Sequence, residues 1–549
     1  MTRAIETKVL IVGAGPVGLT LAMDLAWRGI DVTIAECRRA HEPPSVKCGQ
    51  ISARSMEIFR RLGIVENLRG IGLPAEFPND IVSCTTATGI ELSRVTIPAR
   101  GERRSAKVDG ADTWWPTPEH THRINQIYFE PFLFARAAAQ PRIHLLNRVM
   151  VDEIVQRDDG VTVAARDLNN SRHISLLAGY VVGCDGARSI VRRSIGATFE
   201  GSPAIQKVQS THIRAPQLLN MMPGKRAWLR FLLNPRRCGS VMAIDGRESW
   251  LIHNYLYRNE PDFDSVDRDW AIRSILGVGP NFQYETVSKE DWIGRRLVAS
   301  KFHDRRAFIC GDAAHLWIPH GGYGMNAGIA DAADLAWMLA AVLHGWASPA
   351  ILDAYEAERR PITEQASQII TQVAHKVIAQ RREVPADIEQ RGPAGAATRA
   401  RIGKEAYELD LQQQCCGGLN FGYFYKDSPI IAYDGEPQPD YTMYDFTPST
   451  APGCRAPHFW LGDRRSLYDA LGADYTLIRT NPAAQVCGVV EAAAQRNLPL
   501  SILDVDNALP LYRHNLVLIR PDQHVAWRRD EVPVDPMKLI DLVRGASAA

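Results

Sequence analysis

The chain has 549 residues, room for roughly three or four domains and a large core. Lys and Arg total 63 against 62 Asp and Glu, a net charge of +1, so bulk charge excludes a polyanion-seeking surface and gives no sign of nucleic acid or an anionic membrane as partner. Apolar residues make up 46% and charged ones 23%, the composition of an ordinary globular protein, with no uninterrupted apolar run of the ~18 residues that a membrane span needs.

The chain enters a strand almost at once, so no cleaved leader is expected. Val9-Leu10-Ile11-Val12 runs into Gly13-Ala14-Gly15-Pro16-Val17-Gly18 and then into a helix-compatible segment. This is strand, tight turn and helix in a Gly-x-Gly-x-x-Gly frame, which lets backbone amides at a helix N-terminus approach a pyrophosphate. The next apolar run ends in Glu36, where a ribose-binding carboxylate belongs. Ile58, Phe59 and Leu62 fit one face of a helix that Gly63 stops. Residues 70–120 read as strands and loops, 124–139 as a long helix, and 143–146 and 161–164 as strands.

Tyr180-Val181-Val182-Gly183-Cys184-Asp185-Gly186 then reads as a strand ending in an Asp-Gly turn, followed by a helix from Ser189. On pattern alone this suits an ordinary β–α turn as well as a ligand-orienting Asp185. Between 205 and 258, short apolar and aromatic segments separated by Asn234-Pro235 and Asp245-Gly246 predict an inserted antiparallel sheet, one face of which can hold a flat apolar substrate. Phe308-Ile309-Cys310-Gly311-Asp312 repeats the strand–Gly-Asp theme, and Pro319 to Asn326 forms a Gly-rich loop feeding a helix expected over 327–343. Free amides there, with the helix dipole, suit an anionic flavin edge. Residues 351–415 read as helical and 416–452 as a connector. Residues 453–549 read as a small α/β domain with strands near 475, 500 and 516 and helices over 485–496 and 536–544. Ten cysteines occur without Cys-x-x-Cys, and Cys415-Cys416 is vicinal, so reduced thiols, a cytoplasmic location and no metal site are expected.

Together, the fingerprint with Glu36, the stretch Cys184 to Arg192, and Gly311 to His315 with Pro319 and Gly321 to Asn326 resemble the single-component flavin-dependent aromatic hydroxylases, the p-hydroxybenzoate and phenol hydroxylase family. The tail from Pro452 to Asp469 is similar to that family's thioredoxin-like C-terminal domain, without the redox Cys pair. The resemblance implies an α/β fold with an α+β substrate domain: a Rossmann-like FAD-binding domain over 1–75, 121–200 and 296–415, a substrate domain over 76–120 and 201–295, a connector over 416–452, and the C-terminal domain over 453–549.

It further implies FAD, NADPH or NADH, and O2 acting through a flavin C4a-hydroperoxide on a small phenolic or aromatic substrate, and leaves core packing or formation of a homodimer as the work of the C-terminal domain. Cofactor contacts carried over are Gly13, Gly15, Pro16, Gly18, Glu36, Arg38, Lys47, Gln126, Asp185, Asp312, Gly322, Gly324, Met325 and Asn326. Lys47 replaces an Arg common in relatives, which leaves NADPH against NADH open. Phenol hydroxylase has an Asp near Gly49, and that acid is absent here. Catalytic candidates are Pro319, bordering the reacting carbon, and His253 and His320 as phenol-activating bases; each histidine is equally readable as a packed or exposed residue. Trp228, Phe231, Met242, His253, Tyr255 and Pro319 are candidate substrate contacts, though core packing accounts for the aromatic ones equally well. The alternatives are an FAD oxidase or dehydrogenase, or another flavin monooxygenase (epoxidation or Baeyer–Villiger) on a polyketide-like aromatic. A halogenase is disfavoured because Leu316-Trp317-Ile318-Pro319 lacks a Trp-x-Trp, and the intact cofactor loops argue against a bare interaction scaffold.

Overall fold

A computed structural model describes residues 4–104, 108–506 and 510–546. The strand Ile5–Val12 is buried along its whole second half, as a central strand covered on both faces must be. It pairs in parallel with His173–Gly183 on one side and Val32–Glu36 on the other, and the parallel set extends to Ala307–Ile309 and Ile143–Asn147. Val149–Gln156 and Val161–Asp167 add an antiparallel hairpin, and His303–Asp304 pairs antiparallel with Ala307–Ile309, to make eight strands in all. The register aligns Val12 with Gly183, and Gly183 with Ile309. All three glycine-bearing turns therefore leave from the carboxyl ends of neighbouring parallel strands, where ligands bind in open α/β sheets.

The second sheet has nine strands, running from His315–Leu316 through Trp292–Ala299, Phe199–Arg214, Ser249–Tyr255, Gly239–Ala243 and Leu229–Leu232 to Ile81–Cys84 and Glu91–Val95, with Glu285–Lys289 also paired on Phe199–Arg214. It is not purely antiparallel: Leu229–Leu232 runs parallel to Ile81–Cys84. That neighbour arrives from the distant 76–120 segment, so no hairpin dictates its direction. Across this sheet Ser83 faces Phe231, Phe231 faces Ser240, and Ser240 faces His253. The period-2 rule then puts Met242 and Tyr255 on the same face.

The helix after the Gly-rich loop begins at Tyr323, not 327, and runs to Leu343. Gly321 and Gly322, both with positive φ, end the loop earlier than the apolar pattern suggests. The segment His320–Leu343 is long and apolar enough to cross a bilayer, but most of it is buried in the core. The helical stretch 351–415 is two helices, Asp353–Arg382 and Pro393–Gln414. The C-terminal strands have the order Leu500–Asp504, Tyr475–Arg479, Leu516–Ile519, Val525–Arg529, with the first pair parallel and the rest antiparallel, a thioredoxin-like arrangement. Arg520 anchors this domain to the core, its guanidinium reaching Glu358 at 2.5 Å, Asp522 at 2.9 Å and Asp334 at 3.3 Å. All ten cysteines are free.

Candidate active site and cofactor cleft

Gly13 sits at φ +103°, and a Cβ there would overlap the Cys184 carbonyl, so the first and second turns touch through backbone alone. Gly18 likewise packs on the Gly13 carbonyl. Gly15 and Gly324 differ: a Cβ on either would meet nothing within 4 Å, because both face open space. Each lies at the start of a helix. Pro16–Trp27, with Pro16 at its first turn, and Tyr323–Leu343 both begin without a side-chain cap. Their leading N–H groups are thus left to the hollow between them, an anion-binding arrangement made twice.

One end of the hollow carries Glu36. Its carboxylate accepts the Ala14 N–H at 2.7 Å and the Arg38 N–H at 2.8 Å. Burial alone would raise its pKa, but Arg38 and these amides hold it below the ordinary carboxylate range. Arg38 bonds Glu130 at 2.6 Å, and Glu130 accepts the Gln126 amide at 2.8 Å. Glu36, Arg38 and Gln126 are thereby one network, joined by an acid the sequence reading missed. The Gln126 N–H bonds the Cys48 carbonyl, and Asn125 bonds the Lys47 carbonyl, which brings the Lys47 loop alongside.

At the other end, Asp312 is exposed, with the charges of His315 and Lys47 near its carboxyl. Behind it, Asp331 accepts from the Gly311 N–H at 3.1 Å, from His315 at 2.7 Å and from Arg359 at 2.9 Å. Burial opposes ionisation of Asp331, yet His315 and Arg359 keep its pKa low. Asn326 accepts from the Ser52 N–H and the Ser55 hydroxyl, each at 2.8 Å, and donates to the Gly322 carbonyl at 2.8 Å. It ties the Gly-rich loop to the strand Gln50–Ile51, while the Met325 backbone lies against the Cys48 thiol. Asp185 turns to its own helix, accepting the Ile190 N–H at 2.7 Å, and its Oδ1 is buried with no partner.

The sheet face carrying Phe231, Met242, His253 and Tyr255 meets the Lys47 loop at Gly49. A Cβ on Gly49 would overlap Met242 and come within 3.2 Å of Trp228, so Gly49, Met242 and Trp228 meet at one point. A longer residue at 49 would have to displace Met242. Arg123 lies 3.8 Å over the Trp228 ring. His253 packs edge-on against Tyr255 and Trp292. His320 Nδ1 lies 3.0 Å from the Gln413 amide oxygen, and Pro319 is the exposed residue before it. Burial, with the Arg381 charge adding to it, drives the His253 pKa down to about 4 and that of His320 to about 3. Both imidazoles are therefore neutral at pH 7.

The decisive comparison is with family models. Residues 6–369 match an FAD binding domain, and 449–545 match the C-terminal domain of aromatic-ring hydroxylases. The chain belongs to the flavin-dependent aromatic hydroxylases. This flavin hydroxylase is 31% identical to an FAD-dependent monooxygenase, apdD, of Emericella nidulans, over 95% of this chain and 88% of that protein. It is 29% identical to the phenol 2-monooxygenase of a Pseudomonas species, over 99% and 93%. The solved structure of the rebeccamycin biosynthetic enzyme RebC with reduced flavin superposes with a TM-score of 0.88 at 32% identity, covering 99% of this chain and all of that one.

FAD fits the hydroxylase's cleft on its own terms. The open space at Gly15 and Gly324 accommodates phosphate and ring, two uncapped helix starts supply donors, and Glu36 offers a carboxylate to a ribose. The sequence reading missed Glu130, Asp331, Arg123 and Arg381. Each is a charged residue within a helix or short strand, where nothing local distinguishes it from a surface charge.

Proposed function

We propose that this hydroxylase uses FAD, NADPH or NADH, and O2 to add one oxygen atom to a phenolic or polyketide-like aromatic. The observation that carries the reading is a junction: Gly49 packs on Met242 and Trp228 of the sheet, and its neighbour Cys48 lies against the Met325 backbone of the Gly-rich loop. FAD, when bound, supplies the redox chemistry with nicotinamide and O2. This chain's residues do the rest. The amides of Gly15 and of the helix starting at Tyr323 hold anionic oxygens, Glu36 and Asp312 hold hydroxyls, and the aromatic face excludes water from the reacting edge. Neutral His253 accepts a hydrogen bond from the substrate hydroxyl and so pulls electron density into the ring. Ten free thiols fit a reducing cytoplasm.

The test is a panel of phenols and larger aromatics with FAD-loaded protein. Substrate-stimulated NADPH or NADH consumption, O2 uptake and a product heavier by one oxygen support the reading. Stimulated consumption with peroxide as sole product would make the protein an oxidase instead.

A further inference from the structure

Arg381 is the last but one residue of the helix Asp353–Arg382. A basic residue there ordinarily points to water and complements the helix dipole. Arg382 is exposed, but Arg381 folds inward and is only 5% exposed. Its guanidinium lies 3.7 Å over the Tyr255 ring and 5.7 Å from that of Phe231, on the proposed substrate face. Nη1 is fully buried with no hydrogen-bond partner. Asp410 feels its charge, but Asp410 bonds Ser83 Oγ at 2.9 Å and forms no ion pair with Arg381. A buried guanidinium without an acceptor is costly, and native structures leave few such groups unpaired.

Arg381 also lines a cleft of about 520 Å³. The other ionisable residues lining that cleft are Arg258, Arg382 and Tyr257; it has no carboxylate. Arg381 thus stands between a basic cleft outside and the His253 face inside, where its charge also lowers the pKa of His253 and His320. A stacked, planar fork of donors is suited to a carboxylate or an equivalent planar anion.

We propose that Arg381 is a specificity-determining residue that binds an anionic group, such as a carboxylate, on the aromatic substrate. The inference rests on the reading of the sheet face as the substrate site. The probes are 3-hydroxy-2-naphthoate and neutral 2-naphthol, titrated against FAD-loaded protein by flavin absorbance and by fluorescence of its tryptophans. Wild type binds the acid about tenfold or more tightly than the neutral compound, the worth of one charge-assisted pair. Arg381→Met abolishes that preference with flavin content unchanged, and Arg381→Lys retains part of it. Equal binding of the two probes by wild type, or a preference that survives in Arg381→Met, overturns the proposal. A chain that retains no FAD and consumes no NADPH sinks the hydroxylase reading instead; tryptophan fluorescence still reports probe binding in that case, so the two failures are told apart.

Discussion

The proposed cofactor side and the proposed substrate side are built on opposite terms. On the proposed cofactor side two carboxylates are already matched, while Asp185 Oδ1 is not. Glu36 is satisfied by Arg38 and two backbone amides, and Asp331 by Gly311, His315 and Arg359. On the substrate side Arg381 Nη1 and Arg123 Nη1 are buried without partners, and the two histidines are held neutral. The proposed cofactor cradle holds Glu36 and Asp331 in place with its own groups; its glycines leave room and its amides wait. The substrate side carries unmet donors on aromatic rings, so part of its polar complement must come from the guest.

The sharpest way to break this contrast is at the glycines. Gly13→Ala sets a Cβ against the Cys184 carbonyl at a positive φ, so both folding yield and bound flavin collapse. Gly15→Ala faces open space, so the fold survives and flavin per protein falls; intact flavin content in Gly15→Ala would refute the open-cradle account. Next in size, Asp331→Asn leaves Arg359 and His315 without their shared carboxylate. Unfolding free energy drops by about 3–5 kcal/mol, measured by urea denaturation, and a drop below ~1 kcal/mol would show that the brace is dispensable.

Asp410 tests the substrate side through pH. Burial lifts its pKa to about 7, above the unfolded value near 4. Below pH 4 the carboxyl is protonated in both states and contributes no pH dependence. Between 4 and 7 only the unfolded chain releases the proton, so stability falls as pH rises, and the loss is complete above 7. Asp410→Asn removes this term: compared with wild type at pH 4, it gains up to about 4 kcal/mol by pH 8. The opposite slope holds for His253, whose lowered pKa costs stability as pH falls from about 6.5 to 4. The smallest effect is on coupling. His253→Ala lowers the fraction of NAD(P)H converted to product several-fold while flavin binding is kept, and unchanged coupling would remove His253 from the chemistry.

Legibility followed the same division. Val9 to Gly18, Tyr180 to Gly186 and Phe308 to Asp312 announced strand-to-turn transitions because each needs only its own few residues: an apolar run, then glycine where side chains would collide. The short apolar and aromatic segments between turn signals also marked Phe231, Met242, His253 and Tyr255 as strand residues. It was silent on what faces them. Arg381 sits near the end of a charged helix whose sequence reads as solvated surface, and Glu130 and Asp331 lie inside helices with no local oddity.

The sequence by itself determined where the backbone must turn, where amides are left free and which positions alternate along a strand, since sterics and hydrogen bonding act over a few residues. Only the tertiary structure decided that three turns share one sheet edge, that one inserted strand pairs in parallel, and that Arg381 is buried on Tyr255. Those outcomes depend on which distant surfaces exclude water together, and no short stretch of chain carries that information.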